Sequence, residues 1–236
     1  MHTLPQSKFV QMALIPSIAD NGLIFTYTVR GEIVTASRDR MVLIQCPGWG
    51  IGPRYLASGL TALESEYNLV FFHPRGSAGS SRPANPSAMT SFNMAADLKF
   101  FRQYLNIDRF PAMHGLSHGG TIVLAYAELF PQRVAKLVLV DRWLLSHDDS
   151  AAVIRYQEER KGDLRFEAAY RALHTRLPTN DEELKKFMTT IIPIYFFDPQ
   201  THVPPYLVGI GDQSYSFWCL ESCGNAIGRF RLLKDD

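Results

Sequence analysis

Residues 113 to 127 read MHGLSHGGTIVLAYA, a serine flanked by glycines and followed at once by an apolar helical pattern. Gly115-Leu116-Ser117-His118-Gly119 fits G-x-S-x-G, and its surroundings fit as well. PAMHGLS reads as a short strand, and Ile122, Tyr126 and Leu129 mark one face of a helix that stops at Pro131. A serine in such a strand-to-helix turn is strained; small residues two positions away on each side avoid clashes and leave its hydroxyl exposed. Ser117 is therefore the candidate nucleophile. The backbone N–H of His118, at the helix start, is a candidate donor to an oxyanion.

Upstream, LIFTYTVR (23–30) alternates apolar and polar residues after the turn-forming Asp20-Asn21-Gly22, the pattern of antiparallel strands. MVLIQ (41–45) and NLVFF (68–72) are continuous apolar runs, as strands buried on both faces are, and VAKLVLV (134–140) reads as a third buried strand. Met94, Leu98, Phe101 and Leu105 share one face of a helix over 94–105. Strands alternating with helices imply an α/β fold with a doubly wound, mostly parallel sheet. Glycines in LIQCPGWGIGP place a second donor, Gly48, at the carboxyl edge of the first parallel strand, since Pro47 has no N–H.

From Trp143 the character changes. Residues 151–175 carry many charges at helical spacing, and Thr179-Asn180-Asp181-Glu182 forms a capping box before EELKKFMTTII. PIYFFDPQTHVPPYL (193–207) reads as an aromatic, proline-rich loop. The simplest organisation is a core over 1–142, a helical cap over 143–204, and a stretch 205–236 that ends the cap or partly returns to the core.

The chain has 236 residues, 46% hydrophobic and 20% charged, with net charge +1, the profile of one globular domain with a smaller insertion. Its cations are scattered, which disfavours nucleic acid or an anionic membrane as partner; a small, fairly neutral molecule or short peptide fits better. The N-terminal stretch does not have the pattern of a secretory signal, and no apolar run reaches the roughly 20 residues that span a bilayer. Cys46, Cys219 and Cys223 are sparse and odd in number, which points to packing roles and a reducing, cytoplasmic setting. No metal or organic cofactor is called for, and the oligomeric state is left open.

LIQCPGWG, FHPRGSAGSS and the run from Asp97 through the serine motif to Arg142, taken in order, resemble the α/β-hydrolase fold and especially its prolyl-aminopeptidase-like branch. That branch usually reads His-Gly-Gly-Pro-Gly in the first loop, Asp-x-Arg-Gly-x-Gly-x-Ser in the second and Gly-Gly-Ser-Trp-Gly-Gly at the serine. Arg75, Gly76, Gly79 and Ser80 fit the second motif, which in the family braces the active-site loop. Cys46-Pro47, His73 and His118 depart from the pattern. The resemblance implies a serine hydrolase, and the departures broaden its substrate from a peptide to an ester, lactone or amide of a small molecule.

A serine hydroxyl needs a histidine to take its proton and a carboxylate to orient that histidine; in this fold they follow in the order Ser, acid, His. His118 adjoins Ser117 and its side chain should not reach back to the hydroxyl. His147 and His174 fall in the cap segment, where surface or packing roles are expected. His202 lies in a stretch expected to form a loop able to overhang the site, and it is the candidate base. PYLVGIGD (205–212) reads either as a strand ending in Asp212, the candidate acid, or, by the resemblance, as part of the end of a cap. The second reading is preferred, and it implies that the family's last strands lie some 60 to 70 residues beyond this sequence, roughly, from domain lengths. VAKLVLV would then be an edge strand open to association. A non-catalytic binding module and a truncated product without function remain as alternatives. Trp49, Trp143, Tyr195, Phe196 and Phe197 offer apolar surface for a pocket or for core packing.

Overall fold

The computed structural model describes residues 12–15, 22–31, 39–142 and 148–223. Trp143, His147, Asp20 and Asn21 lie outside them. Six strands form one sheet: β1 (Met12–Ile15), β2 (Phe25–Arg30), β3 (Met41–Gln45), β4 (Asn68–His73), β5 (Ala112–Leu116) and β6 (Leu137–Val140). Their order is β1-β2-β4-β3-β5-β6. β1 and β2 join antiparallel, as the alternation in 23–30 predicts, whereas β4, β3, β5 and β6 run parallel.

Both faces of β3 and β4 are covered, which explains their unbroken apolar runs. On one face α2 (Ser91–Tyr104) and α3 (His118–Leu129) bring Met94, Leu98, Phe101, Ile122, Val123 and Tyr126 onto Leu43, Val70, Phe72 and Met113. On the other, α1 (Arg54–Gly59) places Leu56 and Ala57 against Val42, Ile44, Leu69 and Phe71. α2 starts three residues before the first periodic apolar position because the Thr90 hydroxyl caps it, accepting the Asn93 N–H at 3.1 Å.

β6 corrects one expectation. It is the edge strand, and Val138, Leu139 and Val140 are 46%, 36% and 39% exposed. Its composition matches a buried strand, but burial depends on neighbours, and among the described residues only β5 pairs with it. The edge position expected under the cap reading is the one observed.

Helices α4 (Ser150–Glu158), α5 (Glu167–Leu173), α6 (Asp181–Ile191), α7 (Pro199–Ile210) and α8 (Phe217–Ser222) follow. α5 and α6 share a small core of Ala169, Leu173, Phe187, Ile191 and Ile194. α6 begins as expected, in a modified form: Asn180 Oδ1 accepts the Glu183 N–H, and Glu183 Oε2 accepts the Thr179 N–H, each at 2.9 Å. The loop expected over 193–207 and the less favoured strand over 205–212 are both replaced, by a 3-10 turn at Ile192–Tyr195 and by α7. Asp198 caps α7 and Pro199 stands in its first turn, where a missing N–H costs nothing; Pro204 and Pro205 sit inside it and each forgo a helical bond. No described helix is long and apolar enough to cross a membrane.

Candidate active site

Ser117 stands between β5 and α3 with φ 52° and ψ −126°, a conformation L-residues rarely hold without support. The support is local. Its N–H donates to the Val140 carbonyl at 3.0 Å, and its carbonyl accepts the Gly120 N–H at 2.9 Å. A Cβ on Gly115 would stand 2.5 Å from the Gly119 carbonyl oxygen, and one on Gly119 would stand 2.4 Å from that of Gln45. The turn therefore closes only with glycine at both positions. Ser117 is half-buried, and among the described residues its hydroxyl makes no hydrogen bond.

The loop after β3 comes directly to the start of α3. The Gly48 N–H, assigned to an oxyanion in the sequence reading, instead donates to His118 Nδ1 at 3.1 Å. Nδ1 is thus unprotonated, so Nε2 carries the ring proton and donates it to Ser91 Oγ at 3.0 Å. Trp49 stacks on the ring with centroids 5.5 Å apart. Burial lowers the His118 pKa to about 4, in keeping with a neutral imidazole. Both ring nitrogens are thus engaged by Gly48 and Ser91, and among the described residues no hydrogen bond joins the ring to the Ser117 hydroxyl.

The loop after β4 is tied to α2 through Arg75. Its guanidinium grips Asp97 with two bonds, of 2.8 and 2.5 Å, and also donates to the Ala88 and Asn93 carbonyls. Burial pushes the Asp97 carboxyl up to about 6, against the pull of Arg75. His73, where the resembled family has Asp, is buried between two hydroxyls, Thr26 Oγ1 at 2.8 Å and Thr28 Oγ1 at 3.2 Å. Burial lowers its pKa to about 4 as well.

Residues 213–223 lie across both loops. The Ser216 N–H donates to the Gly50 carbonyl at 2.8 Å, the Gly52 N–H to the Ser214 carbonyl at 2.9 Å, and Cys223 Sγ to the Gly48 carbonyl at 3.3 Å. Gly76, at φ 76°, has Trp218 and Cys219 against its Cα. The sequence reading of 205–236 as the end of the cap or a partial return to the core did not include this contact with the two loops, nor the role of Ser91; the signal available for both elements was a serine or threonine cap, Ser216 before FWCLES and Thr90 before SFNM. The three thiols are free, Cys46 and Cys219 buried and Cys223 half-buried, consistent with packing.

The expected base and acid are elsewhere. His202 is exposed on α7, stacked on Phe196 with centroids 6.1 Å apart. Asp212, just beyond α7, is 89% exposed at its side chain and pairs with Lys185 at 3.3 Å. No described hydrogen bond or ion pair joins either to Ser117 or to the other. His174 is exposed and stacks on Tyr170. Tyr195 and Phe197 are 63% and 92% exposed, so neither packs in the core.

Residues 42–190 match the family model described as the alpha/beta hydrolase fold. A proline iminopeptidase of Xylella fastidiosa is 36% identical over 74 residues, 31% of this chain and 23% of that protein. A (lyso)-N-acylphosphatidylethanolamine lipase of Bos taurus is 31% identical over 144 residues, 58% of this chain and 39% of that protein. The chain thus spans well under half the length of these relatives. Among solved structures, an alpha/beta fold family hydrolase from Bacillus anthracis superposes with a TM-score of 0.61 at 14% identity, covering 89% of this chain and 71% of that one. A carboxylesterase structure from the thaumarchaeon Nitrososphaera gargenis gives 0.56 at 17% identity, covering 94% and 77%. At such identities the superpositions speak for the fold, and the family match covers over half of the sequence. The chain belongs to the α/β hydrolase fold family.

Proposed function

We propose that this chain is a serine hydrolase that cleaves an ester, lactone or amide bond of a small molecule or short peptide through an acyl intermediate on Ser117. The observation that carries this reading is the backbone of Ser117, strained between a strand and a helix and closed by two glycines that tolerate no side chain. Ser117 Oγ attacks the carbonyl carbon and the carbonyl oxygen becomes an oxyanion; the hydroxyl proton passes to solvent water and from it to the alcohol or amine, which leaves as its bond to the carbonyl carbon breaks. Water then releases the acid. The His118 N–H, in the first turn of α3, is the donor aimed at the oxyanion. In this reading residues 148–204 belong to the cap, 205–223 end it or lead back toward the core, and Arg75 and Gly76 hold the second loop in place.

The substrate range follows the relatives' printed activities, a proline iminopeptidase and a lipase, only as far as acyl transfer. A panel of short-chain aryl esters, lactones and prolyl anilides tests it. At least one is turned over, and Ser117→Ala lowers that turnover by on the order of 10³-fold or more. Equal turnover by Ser117→Ala contradicts the proposal. The engagement of the Gly48 N–H by His118 favours a second reading, a binding module that keeps the fold without the chemistry. That reading requires a ligand that raises Tm equally in wild type and Ser117→Ala while no product forms.

A further inference from the structure

The residue that follows the nucleophile contributes to the site twice. Its backbone N–H stands at the start of α3, and its side chain binds the one amide of the facing loop that sequence reading assigned to the same oxyanion. The contact is built from several directions. Gly48 lacks a side chain where a Cβ would stand 3.0 Å from His118 Cε1 and 2.5 Å from the Met94 thioether, so ring and thioether close directly on the peptide. Ser91, at the first turn of α2, fixes the far side of the ring at 3.0 Å, and Trp49 covers its face. The carbonyls of the loop are held from the other side, Gly48 by Cys223 and Gly50 by Ser216. For the loop to present this donor, the Gly48 N–H has to change partner.

Resting on the hydrolase reading above, we propose that the His118 ring is a positioning group that holds the Gly48 N–H in reserve and yields it to a substrate oxygen only when that oxygen becomes negative. The argument is one of relative acceptor strength. Trading a neutral imidazole nitrogen for a neutral carbonyl oxygen exchanges like for like, so the reserve adds nothing to substrate binding. A hydrogen bond to an ionised acceptor is roughly twice as strong as a neutral one, so the exchange becomes favourable as the oxyanion forms. The interaction is then made in the transition state and not before it, which is the condition for raising rate instead of affinity. The ring is neutral over the ordinary pH range, because burial opposes its charge.

Two readouts test the proposal. In the wild-type chain, an N–N scalar coupling across the hydrogen bond between Gly48 N and His118 Nδ1, with Nε2 protonated, reports the pairing without any substitution. Its absence overturns the proposal. His118→Leu removes the acceptor, whereas His118→Asn offers an amide oxygen near the place of Nδ1. Amide exchange at Gly48 should be at least about tenfold faster in the leucine variant and return toward wild type in the asparagine variant. Phosphonylation of Ser117 by a fluorophosphonate, whose P=O oxygen takes the oxyanion position, should be several-fold faster in the leucine variant, since no bond has to be broken to free the donor. Unchanged exchange, or unchanged or slower phosphonylation with the melting temperature kept, overturns the reserve role. If the leucine variant does not fold, the asparagine variant and the wild-type coupling decide. Absence of phosphonylation in every form contradicts the hydrolase reading and the reserve role with it, while the coupling still shows whether the ring holds the amide; the two failures are therefore distinguishable.

Discussion

Ser117 keeps φ 52° and ψ −126° only because nothing larger than hydrogen projects from Gly115 and Gly119. The atoms a Gly115 side chain would meet, at 2.5 to 2.6 Å, all belong to the backbone of Gly119 and Gly120 and cannot swing aside. Gly115→Ala should therefore destabilise the chain by about 1–3 kcal/mol, the usual cost of overpacking, read as a lower urea midpoint at unchanged slope. A midpoint equal to wild type would show that the turn has room the geometry denies it. The serine's place was legible because the elbow is local, five consecutive residues between a strand and a helix. The engagement of Gly48 was not: its partner His118 lies 70 positions away, and no composition rule links a loop amide to a particular ring. Likewise His202 and Asp212 were named from a loop and a strand expected over 193–212, and their exposed positions on and after α7 follow from a helix the prolines concealed.

Among the elements, β6 shows what an apolar run leaves undetermined. LVLV predicts a strand, and a strand forms, but whether its faces are covered depends on what packs beside it. β3 and β4 have the same texture and are buried because α1, α2 and α3 cover them. β6 instead presents apolar side chains and backbone groups at the sheet edge, a template for another strand. The chain should associate in a concentration-dependent way, and Val138→Lys, at a position 46% exposed, should reduce that association with little loss of stability. Sedimentation at increasing concentration checks it; identical association by both proteins would place the contact elsewhere. α6 gives the opposite case, a helix whose start was readable: Asn180→Ala should cost about 1 kcal/mol, seen by urea unfolding.

Across the whole molecule, buried neutral histidines tie stability to pH. His73 and His118 have ordinary values of 6.5 lowered by burial to about 4, so between those limits the unfolded chain binds more protons than the folded one. Their contribution is complete above pH 6.5 and is lost as pH falls toward 4. Asp97 acts in the opposite sense between 3.8 and about 6, because burial raises its pKa. From pH 7.5 to 5 each imidazole costs about 2 kcal/mol and the carboxyl returns about 1, a net loss of about 3 kcal/mol. Urea unfolding at the two values checks this, and equal stability at both would show that neither ring is buried neutral. The mostly parallel sheet, its crossovers and the two loops around the serine were legible because hydrophobic period and glycine placement are properties of short stretches. The strap of residues 213–223 across those loops was not, since its bonds to the Gly50 carbonyl and from the Gly52 N–H are backbone bonds that any sequence can form. The central claim is that Ser117 is a reactive nucleophile, and mass spectrometry of the fluorophosphonate-treated chain tests it most directly. The account predicts one adduct, on the peptide carrying Ser117, absent from folded Ser117→Ala; a folded wild-type chain without that adduct, or an adduct that survives the substitution, would contradict it.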